Sequence, residues 1–272
     1  MNATSDEFPA PRVRPNATHA FGGVWRLTVR RFYSPGRWAV LAAMLGVLVL
    51  FSIPSAPNHA AAVHGFLPWA ARFYVCFLVP ILAFISAAGV MRDDLGAGSV
   101  DYLFTRSVRR PAFVAFRYLA HVACAQLDFL LSLIVVTGIG LYHDVPGLWA
   151  ALPWLLLGQV MMVIAFSAFG FLCGMLTSRY VIVGLRYGAI VEVGVGNVPT
   201  QLNYVSMIRQ ILGLLRPVIG AEKNATGAAA LELALGTPAT LAVLLGFSAA
   251  MIGVTAAVFT FREMAGAASR DS

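Results

Sequence analysis

Between Met91 and Tyr118 the chain gathers eight charged residues, Arg92, Asp93, Asp94, Asp101, Arg106, Arg109, Arg110 and Arg117, in an otherwise oily sequence. Acids and guanidinium groups mixed at this density suit charge-assisted docking of a soluble partner, each ion meeting a counter-ion in fixed geometry. The plainer reading is a solvated, positively charged loop. Further on, Asp128 shares a helical face with Arg117, His121 and Ser132, at offsets that recur near 3.6 residues. This stripe must face protein or water and not lipid. It reads either as a substrate or proton contact or as a buried acid hydrogen-bonded to a neighbouring helix. Glu192, with Asn197 and Pro199 in "VEVGVGNVP", places an acid among glycines that let the backbone bend or pack closely, and irregular backbone at depth tends to line a cavity.

Other chemistries find no residues here. An ATP-driven machine needs GxxxxGK[ST] to cradle phosphates, but the chain has one lysine, Lys223, in "GAEKNAT". The metalloprotease pattern HExxH does not occur, and His19, His59, His64, His121 and His143 are scattered. No serine or cysteine pairs with a histidine for nucleophilic catalysis. Cys76, Cys124 and Cys173 each lie inside an apolar run without ligand spacing and read as packing residues. The expectation is a chain that is not itself an enzyme, with no catalytic residue, metal or bound cofactor.

The elements that must position these residues follow from composition. Of the 272 residues, 59% are hydrophobic and 11% charged, less than half the charge of an ordinary soluble domain. Such a chain suits a bilayer, which accepts helices of about 20 apolar residues. The expected fold is an all-α integral membrane protein with six transmembrane helices, at about 38–53, 73–90, 118–142, 148–176, 180–198 and 238–261. The first is short, so it should extend back through Gly36 or be helped by Arg37. Pro80 and Pro153 allow kinks in spans two and four. No A-x-A cleavage site follows the first run, which is expected to be a retained anchor behind a polar leader, residues 1–19, with residues 20–272 forming one membrane domain.

Placing both termini in the cytoplasm puts 15 of the 19 basic residues inside, leaving Arg72, Arg209, Arg216 and Lys223 outside. The charged stretch from Met91 is then a cytoplasmic loop between spans two and three. The net charge of +7 is spread over several loops and explained by topology, not by nucleic acid. In "FGGVWRLTVRRFY", Phe21, Trp25, Thr28, Val29 and Phe32 share a face opposite Arg26 and Arg30, as in an amphipathic helix lying in the inner interface with arginines toward anionic lipid. "VPTQLNYVSMIRQILGLLRPVIG" has apolar residues at helical spacing and should form one or two short helices on or in the outer leaflet, between spans five and six.

The segment "DDLGAGSVDYLFTRSVRRPAFVAFRYLA" resembles the cytoplasmic signature of type-2 ABC exporter permeases. Asp93 and Asp94 take its acidic positions, Gly98 and Ser99 its Gly-Thr pair, and Asp101 the following Glu. Thr105, Val108 and Arg110 match its turn, and Arg117 its basic entry to the third span; Ser99 replaces Thr, and Ser107 replaces the usual Pro. "VEVGVGNVPTQLNYVSMIRQI" resembles the branch described as multicopper-enzyme-maturation permeases, in which Glu, Asn-x-Pro and Tyr-x-Ser recur. The resemblance implies a multi-pass subunit of a bacterial inner (plasma) membrane that forms the export pathway, pairs with a second permease as a homodimer or heterodimer, and recruits ABC ATPase subunits, which hold ATP and Mg. Its ATPase-coupling loop would comprise Asp93, Asp94, Gly98, Ser99, Asp101, Thr105, Arg106, Arg109 and Arg110; Arg117, His121, Asp128, Glu192 and Asn197, read from the residues themselves, are either pathway groups or structural polar groups within the membrane. Two other readings stay open: a proton-coupled secondary transporter working through Asp128 or Glu192, and a membrane scaffold that carries no cargo.

Overall fold

The computed structural model describes residues 17–33, 35–52, 60–96, 110–194, 206–219 and 236–268. The elements along them are helical. Helix α1 (Ala17–Phe32) leads into α2 (Pro35–Ser52). Helix α3 (Ala60–Trp69) runs through a π-helical stretch (Ala70–Leu78) into α4 (Val79–Gly96). Two long helices follow, α5 (Arg110–Tyr142) and α6 (Leu148–Leu176), then α7 (Tyr180–Tyr187) with a second π-helical stretch (Gly188–Gly194). Short helices α8 (Met207–Leu214) and α9 (Arg216–Ile219) precede α10 (Thr237–Ala268).

Among the described residues, four helical segments are long and apolar enough to cross a membrane: Gly65–Leu95, Pro111–Tyr142, Leu148–Leu176 and Thr237–Phe261. The 29 residues of α6 rise about 43 Å, against the ~30 Å of a bilayer's hydrocarbon. The fold class is therefore that of a helical membrane protein; among the described residues length and composition mark four of the six expected spans. The first expected span is α2, which does reach back through Gly36, but its apolar part, Trp38–Phe51, is short. The fifth is the 15-residue pair of α7 and its π-helical stretch, and its expected end at 195–198 lies outside the described residues.

Span boundaries move where helix continues into polar sequence that hydropathy does not mark. The second span, expected at 73–90, belongs to continuous helix from Ala60 to Gly96, and the third begins at Arg110 instead of Tyr118. The last continues from Thr237 to Ala268. The fourth matches its expected bounds, Leu148–Leu176. Before Pro80 the helix widens instead of breaking. Proline has no N–H for the carbonyl four residues back and its ring crowds that carbonyl, and here the Val79 N–H bonds to the Tyr74 carbonyl, five residues back.

Helix α6 is the hub, packed against α4, α5, α7, α8 and α10, while α1 and α2 both lie against α5. Its closest neighbour is α4, because Gly170 and Gly174 remove the side chains that would separate them. A Cβ at Gly170 would stand 2.6 Å from the Phe84 carbonyl oxygen, and one at Gly174 would strike the Ala88 backbone. Ala83, Ala87 and Ala88 complete this small-residue seam from the α4 side. Between α5 and α6 the chain reverses within a few residues, with Asp144 and Gly147 at positive φ (51° and 75°).

Helix α1 starts at Ala17, within the stretch read as a leader. Its buried line is Val24, Thr28 and Phe32, with Phe21, Trp25 and Val29 half-buried beside it, and Arg26, Arg30 and Arg31 exposed. Cys76, Cys124 and Cys173 are buried free thiols.

Candidate functional site

The charged loop leaves α4 and enters α5, and its two stems are fastened to each other. Asp94 sits in the last turn of α4 and Arg117 two turns into α5; both are buried, at 4% and 1% exposure. Arg117 Nε donates to Asp94 Oδ2 at 2.6 Å and Nη2 to Oδ1 at 3.1 Å, the two-point geometry that a planar guanidinium makes with a carboxylate. Helix α1 closes the cluster: Arg31 Nη1 reaches Asp94 Oδ1 at 2.6 Å, and Arg117 Nη1 donates to the Thr28 hydroxyl at 2.5 Å. Thr28 in turn donates to the Val24 carbonyl at 2.7 Å. Three helices are thereby tied around one carboxylate.

This changes the place of Asp94 among the expected coupling residues. Its oxygens are engaged within the chain, whereas Asp93 beside it is exposed. Arg110 is the first residue of α5. Gly98, Ser99, Asp101, Thr105, Arg106 and Arg109 lie outside the described residues.

Along α5 the polar stripe faces protein, as its period requires. His121 is buried between the rings of Phe32 and Phe171, each 5.6 Å away between centroids. The Ser132 hydroxyl donates to the Asp128 backbone carbonyl at 3.0 Å. Asp128 itself is half-buried on the wall of a cavity of about 270 Å³, with Met44, Ser86 and Tyr180 also on that wall. Thus Arg117 and Asp128, read as one stripe, do different work: one closes an ion pair and the other borders a space.

Sequence reasoning missed a set of neutral polar side chains that cross between helices. Tyr118 donates to the Ile164 carbonyl at 2.8 Å, and Gln126 to the Val160 carbonyl at 3.1 Å, both joining α5 to α6. The Tyr74 hydroxyl lies 2.8 Å from the Phe129 carbonyl and 2.6 Å from Gln159 Oε1. One hydroxyl proton cannot serve both acceptors fully. Exchanging O and N of the Gln159 amide, which are alike in shape, lets that nitrogen donate to the Tyr74 hydroxyl while the hydroxyl donates to the Phe129 carbonyl. These side chains carry no charge, and the sequence does not say which carbonyl lies opposite, so no local signal set them apart.

Glu192 meets α8. Its carboxylate accepts from the Ser206 hydroxyl at 2.5 Å, from the Met207 N–H at 3.2 Å and from the Ile208 N–H at 3.0 Å. Ser206 accepts from the Arg209 N–H at 3.1 Å, so α8 begins with both a hydroxyl and a carboxylate on its unpaired amides. Glu192 and the serine of the Tyr-x-Ser noted in the sequence, Ser206, are therefore two halves of one cap, and Glu192 has a structural task. Replacing it with Ala should cost α8 about 1–2 kcal/mol, seen as roughly tenfold faster amide exchange at Met207 and Ile208. Unchanged exchange would remove that task. Asn197 lies outside the described residues.

No family model matches this sequence, and no curated protein matches it either.

Proposed function

We propose that this chain is the membrane subunit of an ATP-driven exporter of the type-2 ABC kind, providing the translocation pathway while a separate ATPase provides the energy. The observation that carries this reading is the Asp94–Arg117–Arg31–Thr28 cluster. A loop that merely keeps positive charge on one side of a membrane needs solvated ends. Here both loop stems and α1 are tied by buried charge-assisted bonds, so force applied to the loop passes into α4, α5 and α1 together. From that end α5 runs 33 residues, past the cavity bordered by Asp128. In this scheme Asp93, Asp101, Arg106, Arg109 and Arg110 meet the ATPase, and Asp94 holds the stems. The chain pairs with a second permease, both termini are cytoplasmic, α1 lies at the inner interface, and α8 and α9 lie in the outer leaflet between the fifth and sixth crossings, α2 and α7 supplying the additional two.

A second reading, proton-coupled transport, draws on the place of Asp128 at a cavity wall. One experiment separates them. Membrane vesicles holding the chain with its ATPase should show export that needs ATP, and Arg109→Glu with Arg110→Glu should reduce both co-purification of the ATPase and stimulated ATP hydrolysis by tenfold or more. Flux that ignores ATP, follows a proton gradient and is abolished by Asp128→Asn would overturn the ABC reading in favour of the second. Partner binding without flux would leave a scaffold.

A further inference from the structure

A cavity of about 360 Å³ opens between α4, α6 and α7, walled by Phe77, Ile81, Phe166, Phe169, Val181 and Leu185. Its lining is almost wholly apolar, with Tyr187 and Glu192 as the polar side chains, and the Glu192 carboxylate is already occupied by the cap on α8. The wall formed by residues 76 to 85 spans about 14 Å along its helix. It includes Pro80, at the centre of the membrane-length segment Gly65–Leu95. The rim is apolar and uncovered: Phe77 is 54% exposed, Ile81 40% and Leu185 69%.

Water is a poor occupant, because a site that holds it must offer two to four hydrogen-bonding partners, and dry apolar cavities take up hydrocarbon instead. At mid-membrane depth the medium at the rim is hydrocarbon, continuous with the space inside. The size falls within the usual range of ligand sites, about 300–1,000 Å³. We infer that this groove is a lipid site, taking one acyl chain of a surrounding phospholipid sideways between α4 and α7. The acyl chain fills the space that α4 and α7 leave beside their contact at Phe84 and Gly184, and its ordered part lies along Ile81 and Leu185. The inference rests on the membrane-crossing helices and not on the transport proposal.

Gly188 gives the means of testing it, since it lines the groove and a side chain there would meet nothing within 4 Å. The full chain is placed in phosphatidylethanolamine/phosphatidylglycerol nanodiscs doped with a phospholipid carrying a diazirine at mid-chain, irradiated, and its adducts mapped by mass spectrometry. The reference is Leu127 on α5, which is 56% exposed, two residues from the Phe129 carbonyl that Tyr74 reaches, and so at similar depth. Adducts at Ile81 and Leu185 should exceed those at Leu127 at least fivefold. Gly188→Trp should lower them threefold or more and leave Leu127 unchanged, while Gly188→Ala should behave as wild type. Even labelling of all three positions, or groove labelling indifferent to Gly188→Trp, would overturn the site. Ile81 and Leu185 left unlabelled, as they would be beneath a second copy of the chain, would overturn it equally. If the tryptophan variant does not fold, the wild-type ratio alone decides.

Discussion

Arg117→Met should destabilise the purified protein by about 3–5 kcal/mol, the usual result of removing one partner from a buried ion pair. Asp94 is then left 4% exposed beside Arg31, whose own side chain is 39% exposed and so a weaker counter-ion. Asp94→Asn should cost a comparable amount, because two guanidinium groups then face a neutral amide. The double variant is the informative one. If the pair acts as a unit, removing both charges should recover much of the loss, giving a coupling energy of a few kcal/mol in a double-mutant cycle. Thermal or denaturant unfolding of the three variants in detergent measures it. Additive losses would mean that Asp94 and Arg117 act separately, and neutral single variants would mean that the cluster holds nothing together.

The second large effect belongs to the seam between α4 and α6. Gly174→Val should cost at least the upper part of the ~1–3 kcal/mol seen for overpacked cores, because the added carbons meet Ala88 backbone, which cannot swing aside as a side chain does. Gly170→Ala should be milder, with its new methyl group facing the Phe84 carbonyl and Ala87. Gly138→Val on α5, where nothing lies within 4 Å, is the control and should be close to neutral. Equal stability of Gly174→Val and Gly138→Val would show that α4 and α6 can part without cost.

These two features mark how far the sequence could be read. The stripe of Arg117, His121, Asp128 and Ser132 was legible because polar residues recur with helical period inside an apolar run. That Arg117 was to meet Asp94 was not, and still less that Thr28 and Arg31, 89 and 63 residues from their partners, would join them. The spacing of Gly170 and Gly174 stands in the sequence, but a small-residue pair acquires meaning only with its partner surface, here Ala87 and Ala88. Glu192 could be read two ways until Ser206 and α8 were placed against it. Hydropathy located the apolar centres of the long helices and both ends of α6, but missed the polar ends of α4, α5 and α10, because a helix that packs on others continues through residues that a bilayer would refuse. The neutral bonds of Tyr74, Gln126 and Gln159 carry no charge signal and depend on which carbonyl lies opposite.

The π-helical stretch before Pro80 sets a phase as well as a path. The buried line down this helix steps by four through Phe66, Ala70 and Tyr74, by five to Val79, and by four again through Ala83, Ala87 and Met91. That one extra residue corrects the rotation of everything below it. Without it, each later side chain would turn by about 100° around the axis, the angle that one residue occupies in an α-helix. Asp94 lies 15 residues beyond Val79, about 22 Å down the same rod. Its aim at Arg117 is thus timed by an irregular turn near the middle of the helix, as a twist put into the shank of a key fixes the angle of the bit.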